Sequence, residues 1–366
     1  MTTRAVVDLL TVIGQPVVLL SASWTDEQIA QLERETVSML RINDRSTAAS
    51  PMTELAGVAL CQPTSGSTSK PRLAARSDRA LWSEIATLQT VLELTPRDRV
   101  LCSSAISHSY GLMATLASIS CGADVWLGND VETLRAARPT VIFGLGPYYE
   151  RLLEHDLDLS AVRLAFSAGA PLPENLYDRF LDRFRIPLRQ DYGTTETGTI
   201  SLDLSATGSP EDVGTPMPHI DVRVSNGRVA VRGDAVALGY VTNGGLERTC
   251  GPDRWFETAD SGWLDGGRLR LGPRVRDPIL VGRTAVRADD LERQIEQIPE
   301  VHEVAVVPAA GSRLKIVVVG ERVRGPVTAW CRENLPAPVY RATRVETRRS
   351  LPRSPAGKLL RNELLS

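Results

Sequence analysis

Short apolar runs alternate with amphipathic stretches between residues 57 and 191. Apolar runs of this length predict buried strands, and stretches with apolar residues every three or four positions predict helices. The predicted strands are GVALCQ (57–62), RVLCSSA (99–105), ADVWL (123–127), TVIFGL (140–145), residues 162–168 and residues 186–191. The predicted helices are residues 75–93, 111–121, 131–138, 147–155 and 174–184. This alternation favours an α/β fold with a doubly wound parallel sheet.

The pattern changes after Gly198, where Gly and Pro turns separate short runs rich in β-branched residues. These runs are DVRVS, RVAVRG, LGYV and RLRLG. They predict an antiparallel, β-rich subdomain, in which Asn226-Gly227 is typical of the two-residue turn of a β-hairpin.

An α+β pattern follows from Pro278 to the end of the sequence. Asp289 and Asp290 are placed to begin a helix, because acidic residues stabilise a helix N-terminus, and Leu291, Ile295 and Ile298 would lie on its apolar face. The runs HEVAVVP and KIVVVG predict two further strands.

The length of the chain predicts two domains, since 366 residues exceed what one ordinary core accommodates. We place a large N-terminal domain at residues 1–273 and a small α+β C-terminal domain at residues 274–366. The hinge between them is expected near Arg276.

Composition and charge narrow the class of protein. Hydrophobic residues make up 42% of the chain and charged residues 23%, with a net charge of −2, which is typical of a soluble globular protein. Mixed charges exclude the basic patch of a nucleic-acid-binding protein. No apolar run approaches the roughly 20 residues of a membrane span, and Asp8 interrupts the apolar start, which lacks the layout of a signal peptide. We therefore expect a cytoplasmic protein.

Two residue types carry further information. The five cysteines lie far apart without a C-x-x-C pair, so buried thiols in a reducing compartment are expected rather than disulfides or a zinc site. Only three of the 42 basic residues are lysines, namely Lys70, Lys315 and Lys358. Lys70 and Lys358 lie in motifs that contain glycine. At a site where a single ammonium group must reach a phosphate, the planar guanidinium of arginine cannot replace lysine.

The first motif is a hydroxyl- and glycine-rich loop after a predicted strand. It consists of Thr64, Ser65, Gly66, Ser67, Thr68, Ser69 and Lys70. Backbone N–H groups, hydroxyls and one ammonium in such a loop can bind a triphosphate, although the spacing is not that of a Walker loop. Taken alone, a loop of this composition is more often a solvated turn than a nucleotide site.

Each of two further motifs is weak evidence for a nucleotide site when taken alone. Asp191-Tyr192-Gly193-Thr194-Thr195-Glu196 follows a predicted strand, where a carboxylate can hold Mg²⁺ on a nucleotide, or can simply be exposed on a turn. The segment from Leu351 to Arg361 brackets Lys358 with proline and glycine, which is unremarkable for a loop.

Together, in this order, the three motifs resemble those of the adenylate-forming enzymes: acyl- and aryl-CoA synthetases, the adenylation domains of peptide synthetases, and luciferases. Their signatures are T-S-G-[ST]-T-G-x-P-K, Y-G-x-T-E and P-[RK]-[ST]-x-[GS]-K. Further similar blocks lie between them at residues 167–172, 231–240, 256–260 and 273–282. The likeness covers residues 57 to 366.

The resemblance implies a role for each matching residue. The phosphate loop from Thr64 to Lys70 would bind the β- and γ-phosphates of ATP. The residues placed around the nucleotide are Gly169, Ala170 and Tyr192 beside adenine, Thr195 at the α-phosphate, and Asp260 with Arg274 at the ribose. Pro171, Gly193 and Thr194, in the same segments, are also placed in the nucleotide site. Glu196 would hold Mg²⁺, and Lys358 would bridge the substrate carboxylate and the α-phosphate. The small domain would then turn so that a thiol attacks the adenylate.

The acid-binding pocket is implied less fully. The residues that match it are His108, Gly144, Gly146 and Ser167. The alternative for His108 is a helix-capping or packed histidine. The F-D-x-S signature that binds an α-amino group is absent, which indicates an aryl or aliphatic acid without that group.

Four departures from the family pattern affect these expectations. Only 63 residues precede Thr64, so part of the N-terminal domain is expected to be missing or abbreviated. Either its sheet is smaller, or its exposed surface is covered by a partner subunit or in a homodimer. Ser69 and Arg72 replace the flexible glycine and the lysine of the phosphate loop. Arg276 replaces the usual hinge residue. Arg283 stands where many CoA synthetases have a glycine lining the pantetheine tunnel, which leaves CoA and a carrier-protein phosphopantetheine as equal alternatives.

The sequence therefore predicts an ATP-dependent acid–thiol ligase that uses Mg²⁺ and a small carboxylic acid. Two alternatives remain at this point. One is a ligase that stops at the adenylate or forms an amide. The other is a non-catalytic nucleotide-binding relative acting as a partner subunit, against which the retention of Lys358, Glu196 and Asp260 argues.

Overall fold

The computed structural model describes residues 17–18, 57–64, 72–242, 245–250, 253–274, 278–353 and 359–365. The strands are β1 (Val17–Val18), β2 (Leu60–Pro63), β3 (Leu73–Arg76), β4 (Arg99–Cys102), β5 (Asp124–Leu127), β6 (Val141–Leu145), β7 (Leu164–Ala168), β8 (Leu188–Thr194), β9 (Gly198–Leu202), β10 (Asp212–Pro216), β11 (Ile220–Ser225), β12 (Arg228–Gly233), β13 (Gly239–Thr242), β14 (Gly245–Glu247), β15 (Phe256–Asp265), β16 (Arg268–Arg274), β17 (Ile279–Val281), β18 (Thr284–Val286), β19 (Glu303–Ala309), β20 (Arg313–Val319) and β21 (Thr343–Arg348). The α-helices are α1 (Asp78–Val91), α2 (Ser109–Ser120), α3 (Val131–Ala137), α4 (Gly146–Leu152), α5 (Glu174–Phe184), α6 (Ala288–Ile295), α7 (Arg324–Asn334) and α8 (Ala337–Arg341).

The chain divides into two compact units. The first runs to Thr258 and includes Gly262–Leu271, and the second comprises Ala259–Ser261 and Gly272–Ser366. The domain boundary after residue 273 and the hinge at Arg276 stay predictions, and Arg276 lies outside the described residues.

Eleven strands form the main sheet in the order β11-β12-β15-β16-β10-β9-β8-β7-β6-β4-β5. Strands β5, β4, β6, β7 and β8 run parallel to one another, and β9 pairs antiparallel with β8. Residues of α1 and α2 pack into one apolar cluster with this sheet, and residues of α3, α4 and α5 pack into another. Alternate residues of the same strands enter the two clusters, so the helices cover both faces. The predicted doubly wound α/β fold is confirmed.

The antiparallel strands predicted after Gly198 are present, and the structure shows where they belong. Strands β9, β10, β11, β12, β15 and β16 extend the main sheet, whereas β13 and β14 join β1, β2 and β3 in a second sheet. The predicted hairpin is confirmed, because Ser225 pairs with Arg228 across Asn226 and Gly227, which have φ values of 52° and 73°. Two residues with positive φ are what a two-residue hairpin turn with the twist of a sheet requires.

The predicted start of the first helix is wrong. The helix expected to begin at residue 75 begins at Asp78, and the residues before it form β3, which pairs with β2 and β13. Ser77 is the N-cap, since its hydroxyl accepts a hydrogen bond from the backbone N–H of Ala80 at 3.1 Å. Tertiary pairing of β3 thus outweighs the helical pattern of its four residues.

The second unit is built around the three-stranded sheet β19-β20-β21. Helices α6, α7 and α8 contribute apolar residues to a cluster with one face of this sheet. Leu351 and Leu364 pack on the other face against Ala305, Val307 and Val317. The predicted helix and strands of this region are confirmed as α6, β19 and β20, but α6 ends at Ile295, so Ile298 lies beyond the helix.

The five cysteines are all free thiols. Burial raises the pKa of Cys61 to about 12 and that of Cys102 to about 11, so both stay protonated and unreactive near neutral pH. In the part of the chain that the structure describes, each helix is too short or too polar to cross a membrane.

Candidate functional site

Three of the predicted site segments lie side by side at one edge of the main sheet. Leu145 of β6 pairs in register with Ala168 of β7, and Ala168 pairs with Asp191 of β8. Neighbouring strands lie about 4.8 Å apart, so the residues that follow these three along the chain are also neighbours. They belong to the segments of Gly146, Gly169 and Tyr192, and ligands of open α/β sheets bind outside this carboxyl edge.

The segment after β7 has a shape that only glycine adopts readily. Gly169 has a φ of +83°, and the backbone N–H of Leu172 donates to the side-chain oxygen of Gln190 at 2.9 Å. Ala170 and Pro171 between them are half-buried and exposed respectively, whereas Ser167 is buried at the end of β7. The segment is therefore held to β8 at its far end and presents residues 169–171 at the sheet edge.

Glu196 lies in the tight turn between β8 and β9. The turn is closed by a hydrogen bond from the Thr197 backbone N–H to the Thr194 carbonyl oxygen at 3.2 Å, and by contact of the two threonine hydroxyls at 3.1 Å. Thr195 and Glu196 at its tip are half-buried. Asp191, in contrast, lies in the core, where burial and then the nearby Glu84 carboxylate raise its pKa well above the usual range.

The side chain of Glu196 is held by Tyr240 of the second sheet. The Tyr240 hydroxyl donates to Oε1 of Glu196 at 2.6 Å, and burial together with this carboxylate raises the pKa of the phenol, which therefore keeps its proton. The sequence had marked Tyr240 only as the end of a matching block. Nothing in the sequence predicts its contact with Glu196, because the strand of Tyr240 is remote from Glu196 along the chain.

The base of the phosphate loop lies on the same second sheet. The backbone N–H of Thr64 donates to the carbonyl oxygen of Arg72 at 2.7 Å, which closes the loop between β2 and β3. The Arg72 guanidinium lies 3.5 Å from the centre of the Tyr240 ring and 3.3 Å from Glu247. A continuous series of contacts thus connects the loop base with Glu196. The loop residues that lie outside the described residues include Ser65, Gly66, Ser67, Thr68 and Lys70.

This arrangement fits Mg²⁺ that arrives bound to phosphates. Among the described residues, no group of three or more His, Cys, Asp and Glu side chains is gathered as a resident metal site would require. Magnesium is usually held by one or two carboxylates together with phosphate oxygens and water. Glu196, fixed at one oxygen by Tyr240, would supply one such carboxylate.

The residues predicted for the acid pocket have mixed environments. His108 occupies the N-cap position of α2 and is exposed, but its side chain makes no capping hydrogen bond, so it is not a helix-capping histidine. A Cβ atom at Gly144 would lie 2.8 Å from the Tyr149 ring. Gly144 therefore has a packing role in making room for that ring. Its role in binding substrate stays a prediction.

The remaining predicted residues belong to other parts of the chain. Asp260 lies half-buried in β15, and Arg274 is the last residue of β16, with its side chain outside the described part. Lys358 is also outside it. The segment that contains Lys358 is closed at its base, because Arg353 forms a bridge with Leu359 and the Leu360 N–H donates to the Pro352 carbonyl oxygen at 2.8 Å.

Comparison with known proteins agrees with the motifs. A sequence model described as AMP-binding enzyme matches residues 4–241. A feruloyl-CoA synthase from Amycolatopsis sp. is 28% identical over 342 residues, which cover 84% of this chain and 69% of the relative. A 2-succinylbenzoate–CoA ligase from Listeria monocytogenes is 27% identical over 357 residues, which cover 92% of this chain and 73% of the relative.

Solved structures are similar over most of the chain. ATP-bound MatB from Rhodopseudomonas palustris is 25% identical with a TM-score of 0.67, covering 87% of this chain and 69% of MatB. The amide bond synthetase McbA from Marinactinospora thermotolerans is 25% identical with a TM-score of 0.64, covering 84% of this chain and 69% of McbA. Both likenesses leave about a third of the longer protein unmatched.

Proposed function

The chain belongs to the AMP-binding enzyme family, and on this premise we propose that it activates a carboxylic acid with ATP and transfers the acyl group to a thiol. In the first step a carboxylate oxygen attacks the α-phosphorus and the bond to pyrophosphate breaks. In the second step a thiol sulfur attacks the acyl carbon, its proton leaves to solvent, and AMP departs. The observation that carries the proposal is the Glu196 carboxylate, held by Tyr240 beside the base of the phosphate loop.

The first step needs electrostatic positioning rather than a strong base. The acid is already ionised near neutral pH, so the barrier comes from bringing two anions together in line. Mg²⁺ would neutralise charge on the phosphates. Glu196 would orient that ion, Thr195 would contact the α-phosphate, and the backbone of Gly169 and Ala170 would border the adenine. Lys358, Asp260 and Arg274 keep the roles that the family resemblance implies.

The names of the relatives favour CoA as the acceptor. Feruloyl-CoA synthase and 2-succinylbenzoate–CoA ligase both carry CoA in their names. We therefore propose CoA as the first acceptor to test and a carrier-protein phosphopantetheine as the second, with an aryl or aliphatic acid as substrate. Amide formation is a second candidate, because the amide bond synthetase McbA is structurally similar.

Pyrophosphate release tests the proposal. The protein is incubated with ATP, Mg²⁺ and a panel of aryl and aliphatic acids, with and without CoA, a carrier protein or an amine. We expect pyrophosphate with at least one acid and a thioester when the thiol is added. Pyrophosphate without thioester would overturn thiol transfer, and amide would establish the second candidate. Failure to release pyrophosphate with every acid would contradict the catalytic assignment.

Tyr240→Phe is expected to raise the KM for Mg·ATP by about fivefold to tenfold, because one hydrogen bond to a charged oxygen is lost. The KM for the acid should change little. Steady-state kinetics of pyrophosphate release would measure both. Tyr177→Phe is the matched control, since the Tyr177 hydroxyl also donates one hydrogen bond, to the Ala206 carbonyl oxygen, at 2.7 Å. An equal effect of the two variants on nucleotide KM would contradict the role of Tyr240.

A further inference from the structure

An ion pair is fully buried beside the candidate site. Nη2 of Arg76 lies 2.7 Å from Oε2 of Glu84, and the side chains are 0% and 1% exposed. Arg76 ends β3, the strand that leaves the phosphate loop, and Glu84 lies in the second turn of α1. The motifs identified in the sequence include neither residue.

The second oxygen of Glu84 reaches the strand that leaves the Glu196 turn. Oε1 accepts a hydrogen bond from the backbone N–H of Thr199 at 2.8 Å. Thr199 lies three residues after Glu196. Gly198 makes this approach possible, because a Cβ atom there would lie only 2.1 Å from Oε2 of Glu84.

Arg76 contacts a third segment next to Glu196. Its Nη2 donates to the carbonyl oxygen of Ala235 at 3.3 Å. Two residues later, the backbone N–H of Ala237 donates to the carbonyl oxygen of Glu196 at 2.6 Å. The segment 235–237 is therefore bound to Arg76 at one end and to the backbone of Glu196 at the other.

We propose that Arg76 and Glu84 are positioning residues that connect the strand leaving the phosphate loop to the turn bearing Glu196, so that the two halves of the Mg·ATP site keep one spacing. This inference rests on the proposed function. The pair touches neither nucleotide nor acid and acts through backbone groups of Thr199 and Ala235.

Stability alone is a poor explanation for this pair. Removing two charges from water carries a large desolvation penalty, and replacing a buried ion pair by apolar residues of similar volume is often neutral or stabilising. Within the described part of the chain, Nε and Nη1 of Arg76 have no hydrogen-bond partner, which adds to that penalty. An ion pair with such a desolvation penalty is better explained by positioning of the two segments than by stabilisation of the fold.

Two double variants separate geometry from stability. Arg76→Met with Glu84→Leu removes both charges and the acceptor of the Thr199 N–H at similar volume, and we expect thermal stability to change little, because the relieved desolvation penalty offsets the lost hydrogen bond. Arg76→Glu with Glu84→Arg keeps an ion pair but removes the acceptor of the Thr199 N–H. Because small displacements of catalytic groups have large effects, both variants should raise the KM and the Kd for Mg·ATP by about tenfold or more. The KM for the acid should stay within about twofold of the unmodified value.

A second ion pair of the same unit provides the control. Arg163 and Asp98 lie 3.0 Å apart, with Asp98 largely buried and both remote from the Glu196 turn in the chain. Arg163→Met with Asp98→Leu should leave the KM for Mg·ATP unchanged. A control that raises this KM as much as the Arg76 and Glu84 variants would overturn the positioning role, because any lost ion pair would then have the same effect.

Amide hydrogen exchange on the unmodified protein and Mg·ATP binding measurements test the inference even if a variant does not fold. On the unmodified protein, Mg·ATP should slow amide hydrogen exchange in the peptides containing Arg76, Thr199 and Ala237 together. Slowing confined to the Glu196 turn would overturn the inference. The Kd for Mg·ATP is measured by calorimetry and needs no acid substrate. Absence of pyrophosphate release in every assay would therefore overturn the proposed function, whereas the positioning role is decided by the Kd. Unchanged Kd in folded variants of an active enzyme would overturn only the positioning role.

Discussion

Lys358→Ala is expected to lower the rate of pyrophosphate release by about 10²- to 10³-fold, the usual effect of removing one group that stabilises charge in a transition state. The ammonium would lie where a carboxylate approaches the α-phosphate, and alanine leaves that repulsion uncancelled. The thiol step has no such encounter of anions. Thioester formation from a supplied acyl-adenylate should therefore continue at nearly the unmodified rate.

Two further variants make the Lys358 result specific. Lys358→Arg keeps the charge but replaces a compact ammonium by a planar fork, so it should restore only a small part of the activity. Arg349→Ala removes an exposed cation of the same unit and should have no effect. Equal loss of both half-reactions in Lys358→Ala would contradict the assigned role.

Glu196→Gln is expected to reduce pyrophosphate release by about 10²-fold at ordinary Mg²⁺ concentration, with partial recovery as Mg²⁺ is raised. Glutamine has nearly the same shape, and its side-chain oxygen can still accept the hydrogen bond from Tyr240. The loss would therefore report the missing charge on the metal-binding oxygen. The measurement is a Mg²⁺ titration of the initial rate at saturating ATP and acid.

Glu211→Gln is the control for this second variant, because Glu211 is exposed and its substitution changes charge by the same amount. A Mg²⁺ dependence that is identical in Glu196→Gln and the unmodified protein would show that Glu196 does not hold the ion. The same titration in Tyr240→Phe should show a smaller change in Mg²⁺ dependence. That variant keeps the Glu196 carboxylate and loses only the hydrogen bond from the Tyr240 hydroxyl.

Prediction of the fold succeeded where local pattern and tertiary packing agree. The parallel strands β4, β6 and β7 are apolar because both faces are covered by helices, so each run was recognisable in the sequence. The Asn226-Gly227 turn was recognisable because few residues adopt positive φ. Prediction failed at β3, whose four residues have the composition of a helix but form a strand through pairing with β2 and β13.

The candidate site divides in the same way. Glu196, Gly169 and the loop after Thr64 are marked by short motifs, because a turn and its chemistry require residues that are close in sequence. Arg76 and Glu84 belong to no such motif, and Tyr240 was marked only as the end of a matching block, with no indication of its partner. Each acts on a partner that is remote along the chain, and a lone tyrosine or an Arg and Glu eight residues apart are common in any protein.

By itself, the sequence determined the alternation of strands and helices, the order of the phosphate, adenine and tail motifs, and the family. These depend on local backbone preferences and on residue spacing, which a single chain displays directly. Only the tertiary structure decided that Tyr240 holds Glu196, that Gly144 makes room for Tyr149, and that one buried carboxylate links two strands of the site. These contacts arise when separate segments pack together, and hydrogen bonds between such segments leave no periodic pattern in the sequence.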